Sequence, residues 1–252
     1  MPKVSEKDSN IVDFIGLQGQ SLIGGLINLK SELGFMVNLD ELYQQLMRWH
    51  SIQKSDEMLV MGLFLDAHKS YYYAMLNFLR NGFSVSLMSA RRAIEAGLTA
   101  YHLLIHPEDQ PVFYDRNHSR YKEVFKRITG YMKDHLAEYP VAGGLIETYA
   151  LTNKWALHAT AEALSRQLEI QKPTEEELGR LLSHYSEVLD YPDPYLGHYY
   201  FLIYIFAMVH KIFWEGFFQP RFKIINPSYE KDLAEFKKLL NEKTGKHPLS
   251  AQ

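Results

Sequence analysis

Polar side chains that could carry chemistry recur along one side of the stretch 83–106, which has the periodicity of a long helix. At about 100° per residue, a stripe roughly 100° wide collects Ser84, Arg91, Arg92, Glu95, Thr99, His102 and His106. An arginine and a histidine facing a cleft could bind a phosphate, and a partly buried histidine could act as an acid or base. We favour a simpler interpretation: Arg92 and Glu95 form an internal pair, and the histidines are surface residues near the C-terminal end of the helix, where the helix dipole favours positive charge.

A histidine in a later apolar segment could complete a catalytic site with this stripe. His158 follows Lys154 by four positions, so a helix would place both on one side. In the catalytic hypothesis Arg92 binds a phosphate, His158 acts as acid or base, and Glu95 orients one of them. The alternative is a core histidine with one satisfied hydrogen bond, which we favour. The catalytic hypothesis therefore requires His158 to lie beside Arg92.

His102 and His106 are four residues apart, which places both imidazoles on one side of a helix and predicts a pair of metal ligands. The sequence contains neither the H-E-x-x-H motif nor any Glu-x-x-His. The motifs of zinc proteases and helical di-iron carboxylate proteins are therefore missing. A metal site at His102 and His106 would need ligands from elsewhere in the fold.

A basic segment between positions 116 and 133 could contact phosphates of a nucleic acid. Its cations include Arg116, Arg120, Lys126 and Arg127, and the segment has few acidic residues. The alternative, which we favour, is the solvated face of an amphipathic helix. Tyr71, Tyr72 and Tyr73 could likewise stack on bases, but aromatic residues on apolar helices usually belong to the core, and we favour the core here as well.

Composition excludes several kinds of chemistry. The 252 residues include no cysteine, so disulfides, thiolate zinc sites and cysteine nucleophiles are excluded. The net charge of −3 provides no global basic field for nucleic acid. The N-terminal residues lack a signal-peptide pattern, and the longest apolar run, 199–209, is shorter than the ~20 residues that span a bilayer. We therefore expect a cytoplasmic protein that binds no membrane and no cofactor.

The apolar periodicity predicts an all-α, single-domain bundle of about 7–9 helices over residues 1–252, with its core at about 9–218. The predicted helices are 9–33, from 38 or 40 to 52, 55–80, 83–106, 119–134, 145–164, 197–217 and an amphipathic helix at 228–243, with a loose tail from 244. Asn81-Gly82 is a helix stop, so 55–81 and 83–106 should form an antiparallel hairpin. Residues 165–188 fit either a helix or a small β-hairpin, and we favour the helix.

The order of these features resembles a group of uncharacterised bacterial helical proteins related to the HEPN superfamily. The resemblance covers roughly residues 55–165 and consists of the Gly82 turn, the Arg92-x-x-Glu95 helix and the later segment with Asn153 and His158. It implies a helical, dimeric protein. Many HEPN proteins are ribonucleases with an arginine, four to six residues and a histidine on one helix. No arginine in this chain has a histidine at that spacing.

Three functions follow as expectations. The first is a HEPN-like interaction module without catalysis, which forms a homodimer and binds a protein partner in a bacterial cytoplasm. The second is a divergent ribonuclease or nucleotide-processing enzyme that uses Arg92, Glu95 and His158. The third is a metal-binding helical bundle that uses His102 and His106.

Overall fold

The computed structural model describes residues 9–48, 55–115, 117–135, 137–139, 142–156, 193–221 and 227–244. The described residues are 89% helical, with nine helices and no strand among them. The predicted all-α helical bundle is thereby confirmed. The segment 165–188 lies outside the described residues, and so does the predicted tail beyond Thr244.

Short connections join the helices from α1 to α7 within the described ranges. They are α1 (Ser9–Asn28), α2 (Leu33–Arg48), α3 (Ser55–Leu79), α4 (Phe83–Ile105), α5 (Gln110–Tyr114), α6 (Tyr121–Asp134), α7 (Gly143–Ala156), α8 (Asp193–Phe213) and α9 (Pro227–Thr244). A 3₁₀ turn, Pro107–Asp109, precedes α5, and α8 continues through a π-helical turn, Trp214–Phe218, to Arg221.

The predicted hairpin is confirmed as α3 and α4. Asn81 adopts a left-handed conformation with φ 61°, which asparagine tolerates better than most residues. The Gly82 amide donates to the Asn77 carbonyl at 2.8 Å, and a Cβ at Gly82 would lie only 3.2 Å from that oxygen. A side chain at position 82 would therefore crowd the turn that reverses the chain.

The middle of the bundle is formed where α4 packs against α8. Small residues keep the buried side of α4 thin, among them Ala90, Ala93 and Gly97. A Cβ at Gly97 would lie 3.4 Å from Val209 Cγ1, so the two helices approach closely there. The helical stretch Leu196–Phe218, 23 residues with mean hydropathy 1.4, is long and apolar enough to span a membrane, but 67% of its apolar window is buried in the bundle. That burial fits a core helix.

Two predicted boundaries near the N-terminus are wrong. Residues 29–32 form a turn instead of extending α1 to 33, and α2 begins at Leu33 rather than at 38 or 40. The Glu32 amide donates to the Leu29 carbonyl at 2.8 Å, which closes the turn. Phe35 and Leu39 are buried, so their contacts with the core favour an early start of α2 although the sequence offers better capping residues later.

Candidate functional site

Arg92, the proposed phosphate ligand, is occupied by a carboxylate across the hairpin. Its Nε and Nη2 atoms each donate to Asp66 at 2.9 Å, a bidentate pair between α4 and α3. The hydrogen bond and charge of Asp66 raise the pKa of Arg92. The Arg92 side chain is 68% exposed, so this pair lies on the surface and replaces the internal Arg92–Glu95 pair that we favoured.

Glu95 pairs instead with Arg91, one turn earlier on α4. Arg91 Nη2 lies 3.1 Å from Glu95 Oε1 and donates to the Tyr149 hydroxyl at 2.8 Å. That hydroxyl donates to Glu95 at 2.9 Å, and the Arg91 guanidinium lies 5.0 Å from the centre of the Tyr149 ring. Burial raises the pKa of Tyr149, while the hydrogen bond from Arg91 opposes the rise. The three side chains join α4 to α7 in a closed triangle of polar contacts.

His102 belongs to a buried network at the C-terminal end of α4. Its Nε2 lies 3.0 Å from Asp109 Oδ2 and its Nδ1 lies 3.3 Å from the Tyr139 hydroxyl. The side chains of His102 and Asp109 are 2% and 5% exposed, so the surface position that we favoured for His102 is wrong. Arg120 reaches the other Asp109 oxygen at 3.5 Å. Both imidazole nitrogens are thus engaged by the protein, which ties the 3₁₀ turn and α6 to α4.

The predicted metal pair has separate partners in the structure. The ring centres of His102 and His106 are 4.9 Å apart, but His106 Nδ1 lies 3.1 Å from Glu108 at the surface. Among the described residues, no group of three or more histidine, aspartate or glutamate side chains is arranged to hold a metal ion. A metal site here stays a prediction that needs a ligand from the remaining segments.

The other predicted site residues are only partly described. His158 and Arg116 lie outside the described residues, so the meeting of His158 with Arg92 and Glu95 stays a prediction. Arg120 is exposed and contacts Asp109, and Lys126 is exposed on α6. Arg127 occupies a helical position on α6 whose side chain is not described. The described cations of this segment fit the solvated helix face that we favoured.

A second histidine cluster, which the sequence analysis missed, joins α2 to α3. His68 Nε2 and the Tyr72 hydroxyl both lie 2.7 Å from Asp40 Oδ1. Burial lowers the pKa of His68, and Asp40 opposes that shift. The His68 ring stacks on Tyr43 at 4.9 Å between ring centres. His68 and Tyr72 are one helical turn apart, but Asp40 lies on α2, 28 positions before His68, so no spacing rule could have grouped it with them.

The same aromatic cluster continues inward to a histidine of α8. His210 is 1% exposed, and its Nε2 lies 3.0 Å from the Tyr229 hydroxyl of α9. Burial lowers the pKa of His210 to about 3, so the ring is neutral at physiological pH. The core interpretation of the tyrosine run is confirmed for Tyr71 and wrong for Tyr72 and Tyr73, which are 48% and 50% exposed.

A pocket of about 350 Å³ lies between the start of α2 and the end of α9. Its lining consists of Ser31, Gly34, Phe35, Asn38, Leu239, Glu242 and Lys243. It contains none of the predicted site residues, and its cation, Lys243, lies 3.8 Å from Glu32. The candidate chemistry of α4 therefore does not open into this pocket.

Comparisons with known proteins leave the family of this chain open. No protein-family model matches the chain, no curated protein matches it, and no solved structure matches it. The resemblance to HEPN-related proteins therefore stays a prediction. Function has to be argued from the side chains and surfaces of the described helices.

Proposed function

We propose that this chain is a HEPN-like interaction module that binds a protein partner through the outer face of the α3–α4 hairpin and performs no catalysis. By hairpin face we mean the exposed side chains of Leu65, Tyr72 and Tyr73 on α3 and of Val85 and Met88 on α4. All five are 48–50% exposed. The proposal extends to a homodimer in a bacterial cytoplasm, as the resemblance implies.

The composition of the hairpin face supports binding. Tyrosine, methionine and arginine are enriched in protein interfaces, and large apolar side chains grouped on a surface commonly mark an interaction site. Arg92 and Asp66 form a bidentate contact between the two helices of this face. A partner could bury the apolar side chains around a charged pair that is already satisfied.

The pairing of the α4 stripe supports binding over catalysis. A general acid or base must reach the proton that it moves, within hydrogen-bond distance in a plausible substrate pose. Arg91 and Glu95 are engaged with Tyr149, and His102 is engaged with Asp109 and Tyr139. These contacts serve to join helices, which is a structural role.

Capture of a partner from a lysate of the source cells tests the proposal. The double variant Tyr73→Ala with Met88→Ala should retain at least tenfold less of the proteins that the wild type captures, because truncating an interface anchor typically costs ~2 kcal/mol or more. Tyr114→Ala is the matched control, since Tyr114 is an exposed tyrosine on α5. Equal capture by all three proteins would contradict the hairpin face.

A thermal-shift screen with RNA, nucleotides and divalent metals separates binding from catalysis. A ligand that binds only the native state raises the melting temperature. We expect no shift with any of these ligands. A shift with RNA that disappears in Arg92→Ala would favour the enzyme instead.

A further inference from the structure

Helix α1 turns its apolar side outward. Ile15, Ile23 and Ile27 are 64%, 60% and 67% exposed, and Leu26 is 43% exposed. Toward the bundle, α1 buries the small residues Ser21 and Gly25, and Leu22 packs partly buried against the core. A surface helix normally does the reverse, with its apolar stripe against the core and its polar side in water. The exposed side of α1 is thus built like a contact surface.

Six of the exposed positions form one face with an internal symmetry, and the exposed Gln20 lies just beyond its edge. At about 100° per residue, Ile15, Gly16, Gly19, Ile23, Leu26 and Ile27 fall within about 120° of the helix surface. The spacing of these six positions along the helix is the same when it is read from either end, and the centre of the pattern is position 21. If a second α1 packed antiparallel about a two-fold axis at that level, Ile15 would lie opposite the partner's Leu26, Gly19 opposite the partner's Ile23, and Gly16 opposite the partner's Ile27.

Two of these three pairs set a large side chain against a glycine. A Cβ built at Gly16 or Gly19 meets nothing within 4 Å, so the space above both glycines is open. The side chains of Ile23 and Ile27 from a second copy would fill that space and let the helices approach closely, as small residues do in helix pairs. The glycines cost helix stability that nothing within the described bundle requires.

We propose that α1 is a self-association surface, on which a second copy of this chain packs its own α1 in antiparallel orientation. The contact uses no side chain of the hairpin face, so it is independent of the partner proposed above. It assigns a surface to the homodimer. One helix face is smaller than a standard interface of about 1,600 Å², so we expect a dissociation constant of micromolar order.

Charge favours a second copy over a membrane surface. The sequence of α1 contains one charged residue, Asp13, and no lysine or arginine. Helices that lie on membranes usually carry basic residues beside their apolar face. A symmetric contact instead needs a neutral face, because residues near the axis meet their own copies. In the antiparallel pair the two Asp13 positions would lie about 24 Å apart along the helices, too far to repel each other strongly.

Cysteine cross-linking tests the orientation against a clean background, because the chain has no cysteine. Ile15→Cys and Leu26→Cys are prepared separately, mixed and oxidised gently. We expect a disulfide dimer in the mixture and little in either variant alone. A disulfide needs Cα atoms within about 7 Å. In the antiparallel pair, position 15 of one copy is nearly level with position 26 of the other. The two copies of position 15, by contrast, are about 18 Å apart along the helices. Strong self-cross-linking of Ile15→Cys would indicate a parallel pair and overturn the proposal.

Sedimentation measurements test the contact itself. Gly19→Leu should weaken dimerisation at least tenfold, because the added side chain occupies the space meant for Ile23 of the second copy. Val37→Glu on α2, where the side chain is 65% exposed, is the control and should dimerise like the wild type. The proposal would be overturned if the wild type stayed monomeric at about 100 micromolar, which is 100-fold above the expected dissociation constant. It would also be overturned if the wild type bound phosphatidylcholine–phosphatidylserine vesicles and Gly19→Leu abolished that binding.

Discussion

Helices α1 and α4 are alike in sequence and opposite in placement. Both are long, mostly apolar and thinned by glycine. Helix α4 packs against α3, α7 and α8, and it buries most of its small residues. Helix α1 packs chiefly against α3 and exposes Ile15, Ile23 and Ile27. An apolar helix is thus enclosed or left exposed according to how many neighbours the fold supplies.

The comparison also separates two uses of glycine. Gly97 of α4 faces Val209 of α8, and a Cβ at position 97 would lie 3.4 Å from Val209 Cγ1, so this glycine is packed inside the chain. Gly19 of α1 faces open space. If the comparison is right, substitutions in the interior around α4 and α8 change the free energy of unfolding, whereas substitutions on α1 change association.

The largest effect is expected for the buried network at the end of α4. Asp109→Ala should lower the free energy of unfolding by about 3 kcal/mol, because it leaves buried polar atoms of His102 without their acceptor. Urea denaturation followed by circular dichroism measures the change. Glu108→Ala, next in sequence but at the surface, should leave the midpoint unchanged. Similar losses in both variants would mean that burial of Asp109 does not matter.

The next effect concerns the histidine of α8. The pKa of His210 is lowered to about 3 in the folded protein and lies near 6.5 when unfolded. As far as His210 is concerned, the folded protein therefore has its full stability above about pH 6.5. It loses stability as the pH falls toward 3, because only the unfolded chain takes up a proton on this histidine. The loss amounts to about 1.4 kcal/mol per pH unit. The free energy of unfolding, measured from pH 7 to pH 4, should depend less on pH in His210→Gln. Identical slopes would place His210 in contact with water.

The two glycines give a paired prediction. Gly97→Leu should destabilise the protein by about 2 kcal/mol through overpacking against α8. Gly19→Ala should stabilise it by about 0.5–1 kcal/mol, because alanine favours the helix and its Cβ meets open space. Thermal and urea unfolding of both variants against the wild type measure the difference. If Gly19→Ala is less stable than the wild type at concentrations where the chain is monomeric, the space above Gly19 is filled by another part of the same chain.

The smallest effect is expected at the surface pair of the hairpin. Arg92→Ala should change the free energy of unfolding by less than about 1 kcal/mol, since the Arg92 side chain is largely exposed and its attraction to Asp66 is screened. A double-mutant cycle with Asp66→Ala at low and high salt measures the coupling. A coupling free energy well above about 1 kcal/mol would mean that the pair contributes substantially to the stability of the hairpin.

Local rules predicted much of the fold. The Asn81-Gly82 stop and the flanking periodicity predicted the α3–α4 hairpin, and the acidic start after Ser55 predicted where α3 begins. The start of α2 was missed because capping rules favour Asn38 or Asp40, whereas the burial of Phe35 and Leu39 decides the boundary. Such burial depends on contacts with distant segments and leaves little mark in the local sequence.

The candidate site could be predicted only as a set of residues on one helix. Spacing allowed Glu95 to pair with Arg91 or Arg92, and the choice was made by Asp66 across the hairpin and Tyr149 from α7. His102 pairs with Asp109, which lies in the 3₁₀ turn that begins at Pro107. Pairs of this kind join separate helices, so helical periodicity gives the face of each residue but not its partner.

By itself, the sequence determined the helical class, most helix bounds and the exclusion of cysteine chemistry, because these depend on neighbouring residues and composition. The tertiary structure decided which apolar helix became core. Helices α1 and α4 both have the hydropathy of buried segments, yet only α4 is enclosed, because α3, α7 and α8 pack around it. Enclosure depends on the arrangement of other helices, and among the described helices that arrangement leaves Ile15, Ile23 and Ile27 of α1 exposed.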